Sequence, residues 1–169
     1  MRIKIRKTGK GYIPQIIEKG DWIDLYVPKD TLIRGPYAKQ YNKETKSADV
    51  VFSNELIDLE IAMKLPAGYE AHVLPRSSTY NKYGVILANQ QGIIDNSYSS
   101  NKDTWKFNAL AFQDICIPAG VRIAQFRIVL SQKATMWQKI KWLFSSKIEI
   151  VEVDDLGDNV RGGIGSTRD

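Results

Sequence analysis

The chain has one cysteine, one histidine and no run of eighteen apolar residues. Each absence excludes something. A lone cysteine cannot form an internal disulfide, and Cys116, in the apolar run Asp114-Ile-Cys-Ile-Pro118, reads as a core thiol in a protein of a reducing compartment. Without a long apolar run no membrane-spanning helix is predicted. The first residues, Met1-Arg-Ile-Lys-Ile-Arg-Lys7, alternate charged and apolar side chains, so no signal peptide is expected. No metal-ligand cluster occurs, and His72 reads as a satisfied strand residue. Charge of one sign is scarce: 24 basic against 19 acidic residues leave +5. That draws polyanions weakly and is accounted for by solubility. At 169 residues, 43% hydrophobic and 25% charged, the chain suits a single globular domain with a real core.

What is present is alternation. Period-2 alternation recurs in Arg2 to Lys7, Ile57 to Met63, Glu70 to Leu74, Arg122 to Leu130 and Lys147 to Val153, as in half-buried strands. Turn-formers separate them: Lys19-Gly-Asp21, Pro66-Ala-Gly68, Asp95-Asn-Ser97, Pro118-Ala-Gly120 and Leu156-Gly-Asp158. Many short strands without βαβ spacing predict an all-β fold, a closed, distorted β-barrel or jelly roll, with one or two short helices. Residues 35–49, polar and rich in Lys, Asn and Thr, read as an exposed loop. One helix is predicted at Ser77-Ser-Thr-Tyr-Asn-Lys-Tyr-Gly84, capped by serine and stopped by Gly84. A second, over residues 133–144, sets Met136, Trp137, Ile140, Leu143 and Phe144 on one side. It is basic and Trp-rich, which invites a membrane-surface or nucleic-acid role, but packing onto its own domain or a sister subunit is the expectation.

Three segments carry chemistry. Leu74-Pro-Arg-Ser-Ser78 puts a guanidinium and two hydroxyls at the mouth of the first helix, a place suited to phosphate. In Asn89-Gln-Gln-Gly-Ile-Ile-Asp-Asn-Ser-Tyr98, read as strand, turn and strand, Asp95 is set on a hairpin where it could activate a water, or is simply a turn residue. Arg161-Gly-Gly-Ile-Gly-Ser-Thr167 could wrap a polyphosphate with backbone N–H groups, yet lacks the spacing and lysine of a P-loop.

In order, Arg76-Ser-Ser78, Gly92-Ile-Ile-Asp-Asn-Ser-Tyr98, Arg122-Ile-Ala-Gln125 and the Gly-Ser-Thr terminus resemble motifs two to five of the trimeric dUTPase family. Asp24, in Gly20-Asp-Trp-Ile-Asp-Leu25, is similar to motif one, so the resemblance spans residues 20–167. It implies one dUTPase-like domain over 1–169, whose residues 155–169 form an arm closing a neighbouring subunit's site, in a cytoplasmic homotrimer. The implied reaction is hydrolysis of dUTP to dUMP and pyrophosphate, with Asp95 as general base for a water attacking the α-phosphorus. Tyr98 would pack beneath the deoxyribose and exclude ribonucleotides. Asn89 and the backbone of Gly92 to Ile94 would read uracil, while Arg76, Ser77, Ser78 and Gln125 would contact phosphate. Asp24 would support electrostatically. Mg²⁺ would be held by the phosphates and water with no direct protein ligand, and no membrane or nucleic-acid partner is expected.

The sequence also departs from the family pattern. Ile164 stands where the tail aromatic is usual, with Arg161 three residues before it and Gly165, Ser166 and Thr167 after it. Motif one lacks the usual Ala-Gly, and a polar stretch, Asn101 to Thr104, follows Ser99-Ser100. These departures suit a phage-type member. The related dCTP deaminases need a glutamate after the hairpin, where this chain has Phe107-Asn-Ala-Leu-Ala-Phe112. A nucleotide-dependent regulatory binding protein of the same fold is the other alternative.

Overall fold

The structure is a computed structural model that describes residues 1–16, 20–144 and 147–157. Its first strands are β1 (Arg2–Lys7), β2 (Ile23–Tyr26), β3 (Thr31–Ile33), β4 (Tyr37–Ala38), β5 (Val50–Val51), β6 (Asn54–Lys64) and β7 (Tyr69–Pro75). Helix α1 (Thr79–Tyr83) leads to β8 (Val85–Leu87), β9 (Gly92–Asp95), β10 (Thr104–Ala111), β11 (Ile115–Ile117) and β12 (Arg122–Leu130). Helix α2 (Met136–Leu143) precedes β13 (Glu149–Glu152).

Two sheets carry the fold, one in the order β13-β1-β6-β10-β8 and one in the order β2-β12-β7-β9. Because side chains alternate along a strand, Ile3 and Ile5 of β1, Leu59 and Ile61 of β6 and Phe107 of β10 turn inward and share a core with Leu25, Ala71, Val73 and Ile128 of the second sheet. Trp105 and Phe126 join the sheets edge to face, ring centres 5.0 Å apart. The all-β class is as expected, but the described strands form two sheets around one core and two small ribbons, not a closed barrel.

Four local expectations change. Cys116 is exposed: alternation along β11 buries Ile117 and turns Cys116 outward, opposite exposed Leu32 of β3. Residues 37–47 are exposed but not a plain loop, since β4 within them pairs with β5 further on and Asn42 bridges Ser47. Helix α1 stops at Gly84 in the left-handed conformation as predicted, φ 61°, but Ser78 makes no side-chain cap. Its own φ and ψ of −91° and −5° are already helical, whereas a capping side chain needs an extended residue to reach the next turn. Helix α2 is held by a capping box of Thr135 and Gln138, and its apolar side does not pack on the domain. Trp142 docks instead, its ring centre 5.5 Å from that of Tyr69.

One irregularity positions site residues. Glu60 in β6 has φ 54°, and between the pairs Thr104–Ala62 and Lys106–Asp58 one residue of β10, Trp105, faces three of β6, Leu59 to Ile61. The bulge is held by Thr8 N–H donating to the Glu60 carbonyl at 3.0 Å and Glu60 N–H donating to Asp58 Oδ1 at 2.8 Å. It sets the Asp58 carboxylate against the Thr104 hydroxyl, which donates to Oδ2 at 2.7 Å.

Candidate active site

The four-stranded sheet places the first group of residues in rows. Gln125 of β12 opposes Asp24 of β2 on one side and Leu74 of β7 on the other, and directly opposed residues share a face. At this end β7 delivers Arg76, Ser77 and Ser78. The chain is pinned there by Arg76 N–H to the Ile123 carbonyl at 3.3 Å and by the Thr79 hydroxyl to the same oxygen at 2.7 Å.

Asp24 is only 4% exposed. A carboxylate so buried needs close partners, and it has two: Arg76 Nε at 2.7 Å from Oδ1 and Arg122 at 3.0 Å from Oδ2. Two guanidiniums on one carboxylate leave a net charge of +1, and their side chains remain 28% and 45% exposed. The cluster is therefore preorganised to meet an anion. The field comes from the arginines; α1, five residues long, adds little dipole. Arg122 escaped the sequence reading as an individual site residue. It opposes Tyr26, two residues from Asp24 on the same face of β2, a diagonal visible only once the register is known.

The second group lies at the other end of β7. Asp95 closes β9 opposite Glu70, and its Oδ1 accepts from Ser97 N–H at 2.8 Å and from the Ser97 hydroxyl. Tyr98 N–H donates to the Asp95 carbonyl at 3.1 Å, completing a turn that orients the carboxylate. The expected hairpin is not there: β9 pairs with β7, while β8 before it and β10 after it belong to the other sheet. Asp95 sits at a corner where the chain changes sheets. The Tyr98 hydroxyl donates to the Thr104 carbonyl at 2.9 Å, so the ring is tied through Thr104 to Asp58. Burial, then the nearby Asp103 and Asp58 carboxylates, push the phenol above its ordinary pKa and keep it a donor. Asn89 is exposed in the turn after β8, its amide donating to the Gln91 carbonyl at 3.2 Å. Gly92 opposes Val73 so closely that an added Cβ would lie 3.3 Å from that side chain, and Ile94 opposes Ala71. His72 is satisfied by Glu70, 3.0 Å away.

Asp24, Arg76, Arg122 and Gln125 are thus brought together, with Ser77 and Ser78 beside them. Asp95 and Tyr98 are not. The β7 partners of Gln125 and Asp95, Leu74 and Glu70, are four residues apart, about 13 Å at strand rise. The pocket of about 200 Å³ lined by Leu32, Ile33, Arg34, Ser53, Asn54 and Glu55 contains neither group. Among the described residues no acidic, histidine or cysteine cluster could cage a metal ion.

The polar stretch after Ser100 has a structural task that the sequence did not reveal. Asn101 donates to Asp155 Oδ1 at 2.5 Å and accepts from Leu156 N–H at 2.9 Å, while Arg6 and Lys64 donate to the carbonyls of Asp154 and Leu156 at 2.8 and 3.1 Å. These bonds and the burial of Leu156 fasten the chain where the expected arm begins. Arg161, Ile164, Gly165, Ser166 and Thr167 lie outside the described residues.

A family model described as dUTPase matches residues 41–164. The SPbeta prophage-derived deoxyuridine 5'-triphosphate nucleotidohydrolase YosS of Bacillus subtilis is 42% identical over 151 residues, 89% of this chain and 86% of that protein. Among solved structures, a dUTPase from Streptococcus mutans superposes with a TM-score of 0.62 at 18% identity, covering 78% of this chain and 98% of its own. A dUTPase from phage phi11 of S. aureus, whose structure describes coordination of a structural Mg(II) ion, gives 0.60 at 14% identity, covering 79% and 94%. The structural neighbours share the fold, and the prophage relative shares sequence across nearly the whole length. Together with the family model, these place the chain in the dUTPase family.

Proposed function

We propose that this chain hydrolyses dUTP to dUMP and pyrophosphate in the cytoplasm, as a homotrimer working with Mg²⁺, and that Asp95 is its general base. One observation carries the reading. The buried Asp24, clamped by Arg76 and Arg122 beside Ser77, Ser78 and Gln125, forms a built anion site that stands about 13 Å along β7 from Asp95. The anion site and the base are thus not side by side in one chain, and a second copy that brings its own Asp95 to this anion site would complete it, which is the reason to infer a site shared between subunits.

In this mechanism Arg76, Ser77, Ser78 and Gln125 hold the phosphate chain, and Arg122 with Asp24 keeps Arg76 oriented. Asp95 takes a proton from a water whose oxygen bonds to the α-phosphorus. The bond to the α–β bridging oxygen breaks, and pyrophosphate leaves. Asn89 and the backbone of Gly92 to Ile94 read uracil, and a site of such donors and acceptors penalises other bases through unpaired groups. The fixed ring of Tyr98 excludes a 2′-hydroxyl. Arg161, Ile164, Gly165, Ser166 and Thr167, in the arm 155–169, close over a neighbour's nucleotide. The residues present suit a metal ion that arrives on the triphosphate: the one buried carboxylate of the anion site already has two arginine partners, leaving Asp24 to act on the ion through water. A Mg²⁺ ion carried in this way would supply neutralisation of phosphate charge.

The test is pyrophosphate release from dUTP, dCTP, dTTP and UTP with Mg²⁺. Only dUTP should turn over, and Asp95→Asn should abolish release while nucleotide binding survives. Wild-type turnover by that variant would remove Asp95 as the base, and a monomer inert toward dUTP would remove the whole proposal.

A further inference from the structure

The apolar side of α2 is unexplained by the site. Helical geometry places Met136, Trp137, Ile140, Leu143 and Phe144 within an arc of about 120°. All five are exposed, Trp137 by 80% and Phe144 by 83%, and the two aromatics alone present roughly 300 Å² to solvent. The opposite side is fastened to the domain by Trp142 on Tyr69 and by the Gln138 amide donating to the Ala67 carbonyl at 3.0 Å. The apolar stripe is therefore held outward and cannot turn in to the core.

Charge identifies the occupant. Lys139 and Lys141 each lie about 40° beyond an edge of the arc, and residues 131–147 contain Lys133, Lys139, Lys141 and Lys147 with no acidic residue. Stripe against stripe, a second copy would bring lysine against lysine, and a subunit seated on it head to tail would still have to cover the lysines at both margins, which interfaces between proteins disfavour. A helix with an outward apolar stripe, aromatics on it and lysines along both margins matches an anionic bilayer surface, where the rings enter the acyl boundary and the lysines reach lipid phosphates. We infer that α2 is a docking element for anionic membrane surfaces, a role separate from nucleotide hydrolysis.

The experiment is flotation of the full chain with vesicles of phosphatidylcholine containing 30% phosphatidylglycerol, against pure phosphatidylcholine, at low and high salt. Binding to the anionic vesicles should be at least about tenfold stronger and should weaken with salt, by the rule of roughly 1 kcal/mol per lysine at a charged surface. The W137E/F144E variant should lose binding while hydrolysing dUTP at the wild-type rate, showing that it is folded, and K139Q/K141Q should lose the preference for anionic lipid. Failure to float with anionic vesicles, or equal flotation of W137E/F144E, overturns the inference. So does a fall in solution mass on W137E/F144E without lipid, which would assign the stripe to a second copy. So does photo-crosslinking from position 137 in cells to a protein in place of lipid.

Discussion

Replacing Asp24 by Asn tests whether the anion site rests on one buried charge. At about 4 Å between charge centres and an effective dielectric of about 20, each carboxylate–guanidinium pair gains roughly 4 kcal/mol before desolvation. Burying the carboxylate takes back several kcal/mol, and the half-exposed Arg122 counts for less than Arg76 because water screens it. The variant keeps the shape but leaves two guanidiniums 2.7 and 3.0 Å from a neutral amide and close to each other. Removing one member of a buried pair costs about 3–5 kcal/mol, and the exposure of both arginines puts the expected loss near the lower end, about 3 kcal/mol. For a chain of this length that lowers Tm by roughly 6–12 °C. Urea unfolding at fixed protein concentration is the assay, since assembly makes stability concentration-dependent. The midpoint should fall with the slope unchanged. Arg122→Met, which removes only the more exposed bond, should cost about 1 kcal/mol. An Asp24→Asn protein within about 0.5 kcal/mol of wild type, the range of an ordinary surface substitution, would refute the claim that this carboxylate organises the arginines.

Tyr98→Ala should admit UTP, measured as the ratio of kcat/KM for UTP and dUTP, whereas Tyr98→Phe should keep the discrimination and lose about 1 kcal/mol with the bond to Thr104. Because the Tyr98 phenol is raised above its ordinary value of 10.0, its contribution to stability is complete below pH 10 and lost as pH climbs through the folded value. Denaturation midpoints should therefore fall more steeply at high pH in wild type than in Tyr98→Phe. Asp155 has the opposite sign. Its hydrogen bond from Asn101, then that from Gly157 N–H, hold it below its ordinary 3.8, so its contribution is in place above that pH and disappears on acidification through the depressed value. The protection factor of the Leu156 amide, its exchange relative to the unfolded chain at the same pH, should fall at low pH and in Asn101→Ala at neutral pH. Thr135→Ala, which removes one half of the α2 capping box, should cost about 1 kcal/mol of local stability, read as faster amide exchange in α2.

Much of this protein was legible in its residues because short-range rules govern them. Alternation alone predicts β12 over Arg122–Leu130 with the bounds it has in the structure. Gly84 ends α1 because only a left-handed residue turns the chain there. The order of Arg76-Ser-Ser78, Asp95 and Gln125 pointed to the family that the comparisons identify. Periodicity also placed the five apolar residues of α2 on one side, but not which way that side faces. That was settled by Trp142, a single ring on the other side that finds Tyr69. Likewise the run around Cys116 is apolar at every neighbour that matters, yet a two-stranded ribbon has an outer face and Cys116 is on it.

Pairing between strands far apart in sequence decided the rest. Whether Arg122 meets Asp24 depends on how β12 is registered against β2. Whether Asp95 ends a hairpin or a corner depends on β9 choosing β7 over its neighbours in the chain. The separation of Asp95 from the arginines depends on both lying against one straight strand. Residue identity, read locally, determined the strands, the turns and the chemistry available. Register, bulges and the choice of sheet partners, which are properties of long-range hydrogen bonding and shared burial, determined which of those groups can act together.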